Sequence, residues 1–263
     1  MNPLDFVNEE VQHLKASLMN PDWIINDGGT VGLTQYTFWM IIVFALVLLC
    51  VMLVGKRLTL VPEHKFINMV EYGYQLVRKD VAENAIGHGY KKHVPFLATM
   101  FFFILCANFV GLVPGCRTPT GTISVTWALS LISFVYFNYW GVKAHGGWGY
   151  IKSIAPSGLP KPMVPVIWFF EFISLVLRAL TLAVRLYGNM FAGHMALGIF
   201  ALLSTGFIQA AIQGAGAAVG GITVAWMLFL VIMYALECLV AFIQAYVFTM
   251  LSAVYIQLAT SEH

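Results

Sequence analysis

The chain carries few charged residues. Of its 263 residues, 10% are charged and 60% are hydrophobic, and the formal net charge is only +2. Soluble domains carry about 25% charged residues, so this composition excludes an ordinary soluble domain and is typical of a polytopic membrane protein. The small net charge argues against a nucleic-acid partner. The length predicts a single membrane domain, residues 1–263.

Motifs for metal binding and catalysis are also missing. The four cysteines show no CxxC or metal-ligand spacing, and three of them lie inside apolar segments. The sequence contains no HExxH, no GxSxG and no glycine-rich phosphate loop. These absences predict no metal, no cofactor and no catalytic activity of the chain by itself.

The first two thirds of the chain contain runs of membrane-spanning length. Residues 1–34 have acids but no basic region ahead of an apolar core, so we expect a polar outer segment and no cleaved signal peptide. Residues 35–55 are predicted to form the first span, because about 20 residues at about 1.5 Å each cross the hydrocarbon. Residues 62–92 carry apolar residues at helical spacing and charges on the other face, as an amphipathic surface helix does. Residues 94–142 are predicted to form a transmembrane hairpin.

The last hundred residues contain two apolar stretches longer than a span requires. Val164 to Leu203 would form about 60 Å of helix, roughly twice a perpendicular crossing, and Gly221 to Leu258 is nearly as long. We therefore expect residues 164–258 to form a steeply tilted helical hairpin lying against a large partner surface. The predicted fold class is all-α, with about five membrane-embedded helices and one amphipathic surface helix.

Basic residues predict the orientation of the chain. Seven of the Lys and Arg residues fall between positions 56 and 92 and three between 143 and 161, but the outer segment and the hairpin turn have one each. Cytoplasmic loops carry the excess of positive charge. We therefore expect a multi-pass protein with the N-terminus outside and both basic loops in the cytoplasm. The lack of a targeting segment fits a bacterial inner membrane or an organelle-encoded protein, and we favour the bacterial inner membrane.

Three charged residues follow one another at seven-residue steps inside the first long helix. Glu171, Arg178 and Arg185 therefore share one face, which we expect to contact a protein partner or water rather than lipid. A guanidinium cannot lose its proton, so Arg185, deep in the apolar run, is predicted to have a functional role. For Arg178 two roles remain open: a structural pair with Glu171, or a function of its own.

The second long helix carries Glu237 and Gln244, which are also seven residues apart. If the two helices run antiparallel, His194 lies near Glu237 and Arg185 near Gln244. Each polar residue alone is compatible with an interior hydrogen bond between helices. Together, a fixed cation beside a titratable acid and imidazole predict a proton path.

Three segments resemble a known family. RLYGNMFAGH at 185–194 is similar to the signature of subunit a of the F-type ATP synthases, and ECLVAFIQAYVF at 237–248 resembles the final helix of that family. NFVGLVPG at 108–115 is similar to the central hairpin of that family. The resemblance covers roughly residues 60–258.

The resemblance implies a proton-translocating stator subunit that faces a rotor ring of small proton-binding subunits. Two offset half-channels would reach the carboxylates of the ring, separated by Arg185 as the essential arginine. His194, Glu237 and Asn108 are implied for the outer half-channel. Some relatives place the acid where His194 stands and the histidine where Glu237 stands, so the pair occurs here with its members exchanged.

Three more residues are assigned by the same resemblance. Glu171 is expected in the inner path, and Asn189 and Gln244 are expected to orient the arginine and nearby water. Some relatives have an acid where this chain has Gly111, and we expect Thr126 or water to take the place of that acid.

The implied partners are the rotor ring, the peripheral-stalk subunit b, the lipid bilayer and, indirectly, the ATP-synthesising catalytic head. The alternative function is a stand-alone secondary transporter or ion channel, since charges within the membrane also mark substrate paths. Transporters are commonly built from internal repeats, and we find none in this sequence.

Overall fold

The computed structural model describes residues 23–25, 33–56, 65–113, 116, 118–153, 163–212 and 217–261. Most of the outer segment predicted for residues 1–34 lies outside the described residues. Within it, the strands β1 (Trp23–Ile25) and β2 (Leu33–Thr34) pair antiparallel. This small strand pair was not predicted from the sequence, because three-residue and two-residue strands leave too short a pattern.

The remaining elements are helices, which confirms the predicted all-α class. In chain order the α-helices are α1 (Gln35–Lys56), α2 (Lys65–Gln75), α3 (Asn84–Ile86), α4 (Val94–Leu112), α5 (Ile123–His145), α6 (Gly147–Ser153), α7 (Val164–Ile212) and α8 (Ala217–Thr260). A π-helical segment, Leu76–Glu83, joins α2 to α3, and short 3-10 turns, Tyr90–Lys92 and Pro119–Gly121, precede α4 and α5.

Four of the described helices are long and apolar enough to cross a membrane, namely α1, α4, α7 and α8. The fifth helix that we expected in the membrane, α5, has 23 residues and therefore sufficient length, but it is less apolar than the other four. Its polar side chains are used inside the protein. Ser133 Oγ donates a hydrogen bond of 2.9 Å to Ser252 Oγ of α8, and Ser130 Oγ donates to the carbonyl of Ala179 in α7.

The core lies where α4, α5 and α8 meet. Large side chains that are almost completely buried there include Leu97, Phe101, Ile104, Phe137, Phe248 and Ile256. The predicted surface helix is confirmed as a helical segment, but one of its faces joins this core, because Val77, Val81, Ala82 and Ala85 are buried in it. Phe66, Met69, Tyr72 and Tyr74 are exposed on the same segment. The segment therefore has two apolar surfaces, and only one of them is free for lipid.

Helices α7 and α8 form the predicted overlong hairpin. They contain 49 and 44 residues. At about 1.5 Å per residue each is about twice as long as a perpendicular crossing requires. Near the bend the two helices meet through aromatic side chains, with Phe200 5.7 Å from Trp226 and 5.1 Å from Phe229 between ring centroids. The length is thus confirmed, and the steep tilt stays a prediction.

Candidate functional site: the polar groups of the long hairpin

Arg185 lies on an exposed face of α7. Its neighbours Ala183 and Leu186 are buried in the protein, whereas Val184 and Arg185 are exposed. Among the described residues, no carboxylate lies within ion-pair distance of its guanidinium. Because the described part of the chain does not neutralise the positive charge of Arg185, this charge is available to a partner.

The surroundings of Arg185 are apolar. Exposed large side chains recur at helical spacing on α7 and on α8, at Ile173, Leu177, Leu180 and Val184 and at Leu228, Val231, Ile232, Leu236, Leu239, Phe242 and Ile243. Residues three and four positions apart lie on the same face of a helix. The hairpin thus presents long apolar stripes, and Arg185 lies directly after Val184 of the α7 stripe.

Arg178 has the opposite character. Its guanidinium lies 3.9 Å from the Glu171 carboxylate and 5.8 Å from the ring of Tyr255 on α8. Burial raises the pKa of Tyr150 on α6, and the nearby charge of Arg178 acts in the opposite direction. These contacts favour a structural role for Arg178, the first of the two roles left open by the sequence. They also place the Glu171 carboxylate beside Arg178.

Glu237 is buried against the backbone of α7. Its side chain is 8% exposed, and a Cβ added at Gly193 would overlap its carboxylate. Only glycine at position 193 leaves room for the carboxylate at this distance. No hydrogen-bond partner reaches Glu237 Oε1 among the described residues. A buried carboxylate oxygen without a partner from the protein can accept a hydrogen bond from water or take up a proton.

His194 follows Gly193 on α7 and faces α4. Its Nε2 lies 3.1 Å from the point that a Cβ of residue 111 would occupy, and Thr118 Oγ1 lies 2.8 Å from the same point. His194 and Glu237 thus flank neighbouring positions, with His194 towards α4 and Glu237 towards Gly193. The pairing of His194 with Glu237 stays a prediction.

The predicted role of Thr126 is not supported by its contacts. Thr126 Oγ1 donates to carbonyls of its own helix, at 3.0 Å to Ile123. The side chains that crowd the position of Gly111 are instead Thr118 and His194. Thr118 was missed in the sequence because it lies in a turn, where no helical spacing relates it to other polar residues.

Asn108 connects α4 to α8. Its Nδ2 donates to the carbonyl of Ala241 at 3.2 Å, and its Oδ1 accepts from Thr120 Oγ1 at 2.8 Å. Ala241 lies four residues after Glu237, so Asn108 reaches the next turn of the same helix. The three residues expected in the outer path therefore lie around the junction of α4, α7 and α8.

Asn189 and Gln244 retain unused hydrogen-bonding capacity. Gln244 is 7% exposed, and neither its Nε2 nor Nδ2 of Asn189 has a hydrogen-bond partner in the described part of the chain. The predicted contact of Gln244 with Arg185 stays a prediction. Both amides are able to hold water or a group from a partner.

Comparison with known proteins identifies the family. The sequence profile of the family described as "ATP synthase A chain" matches residues 37–257. The chain belongs to the ATP synthase subunit a family. The resemblance seen in the three segments is thereby confirmed, over a larger part of the chain than those segments suggested.

Individual relatives agree with this assignment. ATP synthase subunit a of Brucella ovis is 38% identical over 236 residues, which are 89% of this chain and 92% of that protein. ATP synthase subunit a of Chloroherpeton thalassium is 37% identical over 242 residues, covering 89% of this chain and 68% of the relative. As a subunit a, the chain is a membrane-embedded component of the ATP synthase complex and not its catalytic part.

Proposed function

We propose that the chain is the proton-translocating stator subunit of a rotary F-type ATP synthase. It would provide two offset half-channels to the carboxylates of a rotor ring, with Arg185 between them. The observation that carries this proposal is the exposed guanidinium of Arg185, which has apolar neighbours and no counter-ion in the described part of the chain. Membership of the subunit a family supports it.

The chemistry of Arg185 suits this task. A positive charge lowers the pKa of a carboxyl group that approaches it, so a ring carboxylate passing Arg185 would release its proton. Because a guanidinium stays protonated, protons cannot pass directly from one half-channel to the other through it. Lysine at this position would lose its proton more readily in an apolar environment.

We assign the outer half-channel to His194, Glu237 and Asn108. The buried position of Glu237, its partnerless Oε1 and the adjacent imidazole support a place where water meets titratable groups. Proton transfer requires partners within hydrogen-bond reach or one water apart. In some relatives the acid stands at the position of His194 and the histidine at the position of Glu237. This chain therefore keeps both functional groups, with their positions exchanged.

The inner half-channel is assigned to Glu171. Its carboxylate keeps substantial exposure beside Arg178 in the described chain, as expected of a group that meets water. Asn189 and Gln244 would orient the arginine and nearby water through their unused amide groups. Arg178 supports Glu171 in this scheme through their ion pair of 3.9 Å.

The proposed partners follow from the family and the apolar stripes. The exposed faces of α7 and α8 would lie against the rotor ring, while the peripheral-stalk subunit b holds the chain and the catalytic head makes ATP. We place the N-terminus outside and both basic loops in the cytoplasm of a bacterial inner membrane. A membrane-impermeant label should therefore reach a cysteine placed at Lys79 only from the cytoplasmic side.

ATP-driven proton pumping in membrane vesicles tests the role of Arg185. The assembled complex with Arg185→Ala should pump no protons although the subunit assembles normally. Arg78→Ala is the matched control, since it removes one guanidinium from an exposed position outside the hairpin. Equal pumping by the two variants, at equal assembly, would refute the proposal.

A further inference from the structure

A buried chain of hydroxyl and amide groups joins the turn before α5 to α8. Thr118 Oγ1 and Thr120 Oγ1 are 2.9 Å apart, and Thr120 Oγ1 donates to Asn108 Oδ1 at 2.8 Å. Asn108 Nδ2 then donates to the carbonyl of Ala241 at 3.2 Å. Thr118, Thr120 and Asn108 are 3%, 0% and 0% exposed. We call these three residues the turn network.

The hydrogen bonds of the turn network have one consistent direction. The Ala241 carbonyl can only accept, so the amide nitrogen of Asn108 must point to it and Oδ1 must accept from Thr120. The single hydroxyl proton of Thr120 is thereby used, and Thr118 supplies the proton between the two hydroxyls. Thr118 Oγ1 also lies 3.1 Å from the carbonyl of Ala107, with which it shares this proton. Such a chain is rigid because each bond fixes the next.

The two ends of the turn network lie beside the two titratable residues. At one end, Thr118 and His194 Nε2 both border the position of Gly111. At the other end, Ala241 lies one helical turn after Glu237 on α8. The turn network therefore spans from the imidazole on α7 to the helix that carries the carboxylate.

We propose that Thr118 and Thr120, together with Asn108, are positioning residues that set the separation of His194 and Glu237. This inference rests on the proposed proton path and adds two residues to it. The hydroxyl proton of Thr120 is used by Asn108 and that of Thr118 is shared between Thr120 and the Ala107 carbonyl, so the role of both threonines is to hold geometry and not to carry protons. Since proton transfer depends on hydrogen-bond reach, a shift of the turn slows proton uptake.

Isosteric variants test the turn network in the assembled complex. Thr118→Val and Thr120→Val remove a hydroxyl with little change in shape, whereas Thr118→Ser and Thr120→Ser keep it. A misplacement of about 1 Å can cost about 10²-fold in rate. We expect the loss of one hydroxyl to shift the turn by less than this, so the valine variants should pump about tenfold more slowly. Their pumping should also show an altered pH profile, and the serine variants should resemble the native chain. Thr99→Val is the matched control, since Thr99 is an exposed residue of α4 that donates only to Pro95.

The outcomes separate this inference from the proposed function. If the valine variants pump like Thr99→Val, the positioning role is wrong. If they only reduce the amount of assembled complex, with the native rate and pH profile in what remains, the threonines are merely structural and the inference is again wrong. Arg185→Ala is measured in parallel. If that variant pumps protons, the proposed function itself fails. If Arg185→Ala loses pumping while the valine variants pump normally, only the role of the turn network is refuted.

Discussion

Arg178 and Arg185 have the same side chain and share one face of α7, but their surroundings differ. The seven-residue step was visible in the sequence and placed both on that face. The contacts that distinguish them come from Tyr255 on α8 and Tyr150 on α6, which are distant in the chain. Periodicity within one helix predicts which residues share a face, but it contains no information on which other helix covers part of that face.

The sequence suggested the titratable pair but not the groups around it. Antiparallel pairing around the bend led us to expect His194 near Glu237, and this pairing stays a prediction. The hydroxyls of Thr118 and Thr120 were missed, because a turn has no repeating spacing from which neighbours can be read. The crowding of Gly193 by the Glu237 carboxylate depends on how two helices pack together, which spacing within one helix does not reveal.

Glu237→Gln keeps the shape of the side chain but removes its titration. We expect ATP-driven pumping to slow by about 10²-fold, the usual contribution of a positioned acid or base. The pH dependence of pumping should change as well. Dye quenching in vesicles, measured over a range of pH, reports both quantities. Unaltered rate and pH dependence would remove Glu237 from the outer path.

Gly193→Ala should disturb the same carboxylate without changing any charge. The added methyl overlaps the Glu237 side chain, and such overpacking typically costs about 1–3 kcal/mol. We expect weaker assembly or slower pumping, measured by subunit content and vesicle acidification. Gly206→Ala is the control, since a Cβ there meets no atom within 4 Å in the described structure. Identical behaviour of the two variants would mean that the close contact does not matter.

Helix α5 shows how an element departs from its sequence-based expectation. We expected it as one helix of a transmembrane hairpin at residues 94–142, and its 23 residues are long enough to cross a membrane. Its serines form hydrogen bonds to α7 and α8. Because these polar groups have partners, they do not destabilise the helix within the membrane. The surface helix departs similarly, since its amphipathic pattern predicted one apolar face and the fold uses a second one for the core.

Ser133→Ala tests the contact between α5 and α8. Ser252 keeps its own bond to the Phe248 carbonyl at 2.9 Å, so only one interhelical hydrogen bond is lost. We expect a destabilisation of about 1 kcal/mol, as is common for such bonds in membrane proteins. The midpoint temperature at which the complex releases the chain measures it. Ser124→Ala, at an exposed position of the same helix, should leave that temperature unchanged; an equal fall in both variants would contradict this explanation.

At the scale of the whole molecule, the described chain leaves large apolar surfaces uncovered on α7 and α8. Lipid covers part of them, and the exposed Arg185 indicates where a protein partner is required. The sequence predicted this hairpin well, because length and hydropathy are properties of the chain alone. It could not predict which surfaces remain free, since that depends on how all the helices pack together.

The purified chain alone in liposomes should carry no protons. In the proposed function its titratable groups serve carboxylates that belong to another subunit, so no complete path would exist without the ring. A pH-sensitive dye inside the liposomes measures proton uptake under an imposed gradient, with the intact complex as the positive control. Rapid uptake by the lone chain would favour the stand-alone transporter or channel instead.

The most direct test of the account is ATP synthesis driven by an imposed proton gradient in vesicles that contain the complete complex with Arg185→Ala. We predict that synthesis is lost while the amount of assembled complex and its ATP hydrolysis in detergent remain normal, because only the separation of the two proton paths has been removed. Synthesis at the native rate in this variant would contradict the account, because the positive charge of Arg185 would then not be needed to separate the two proton paths.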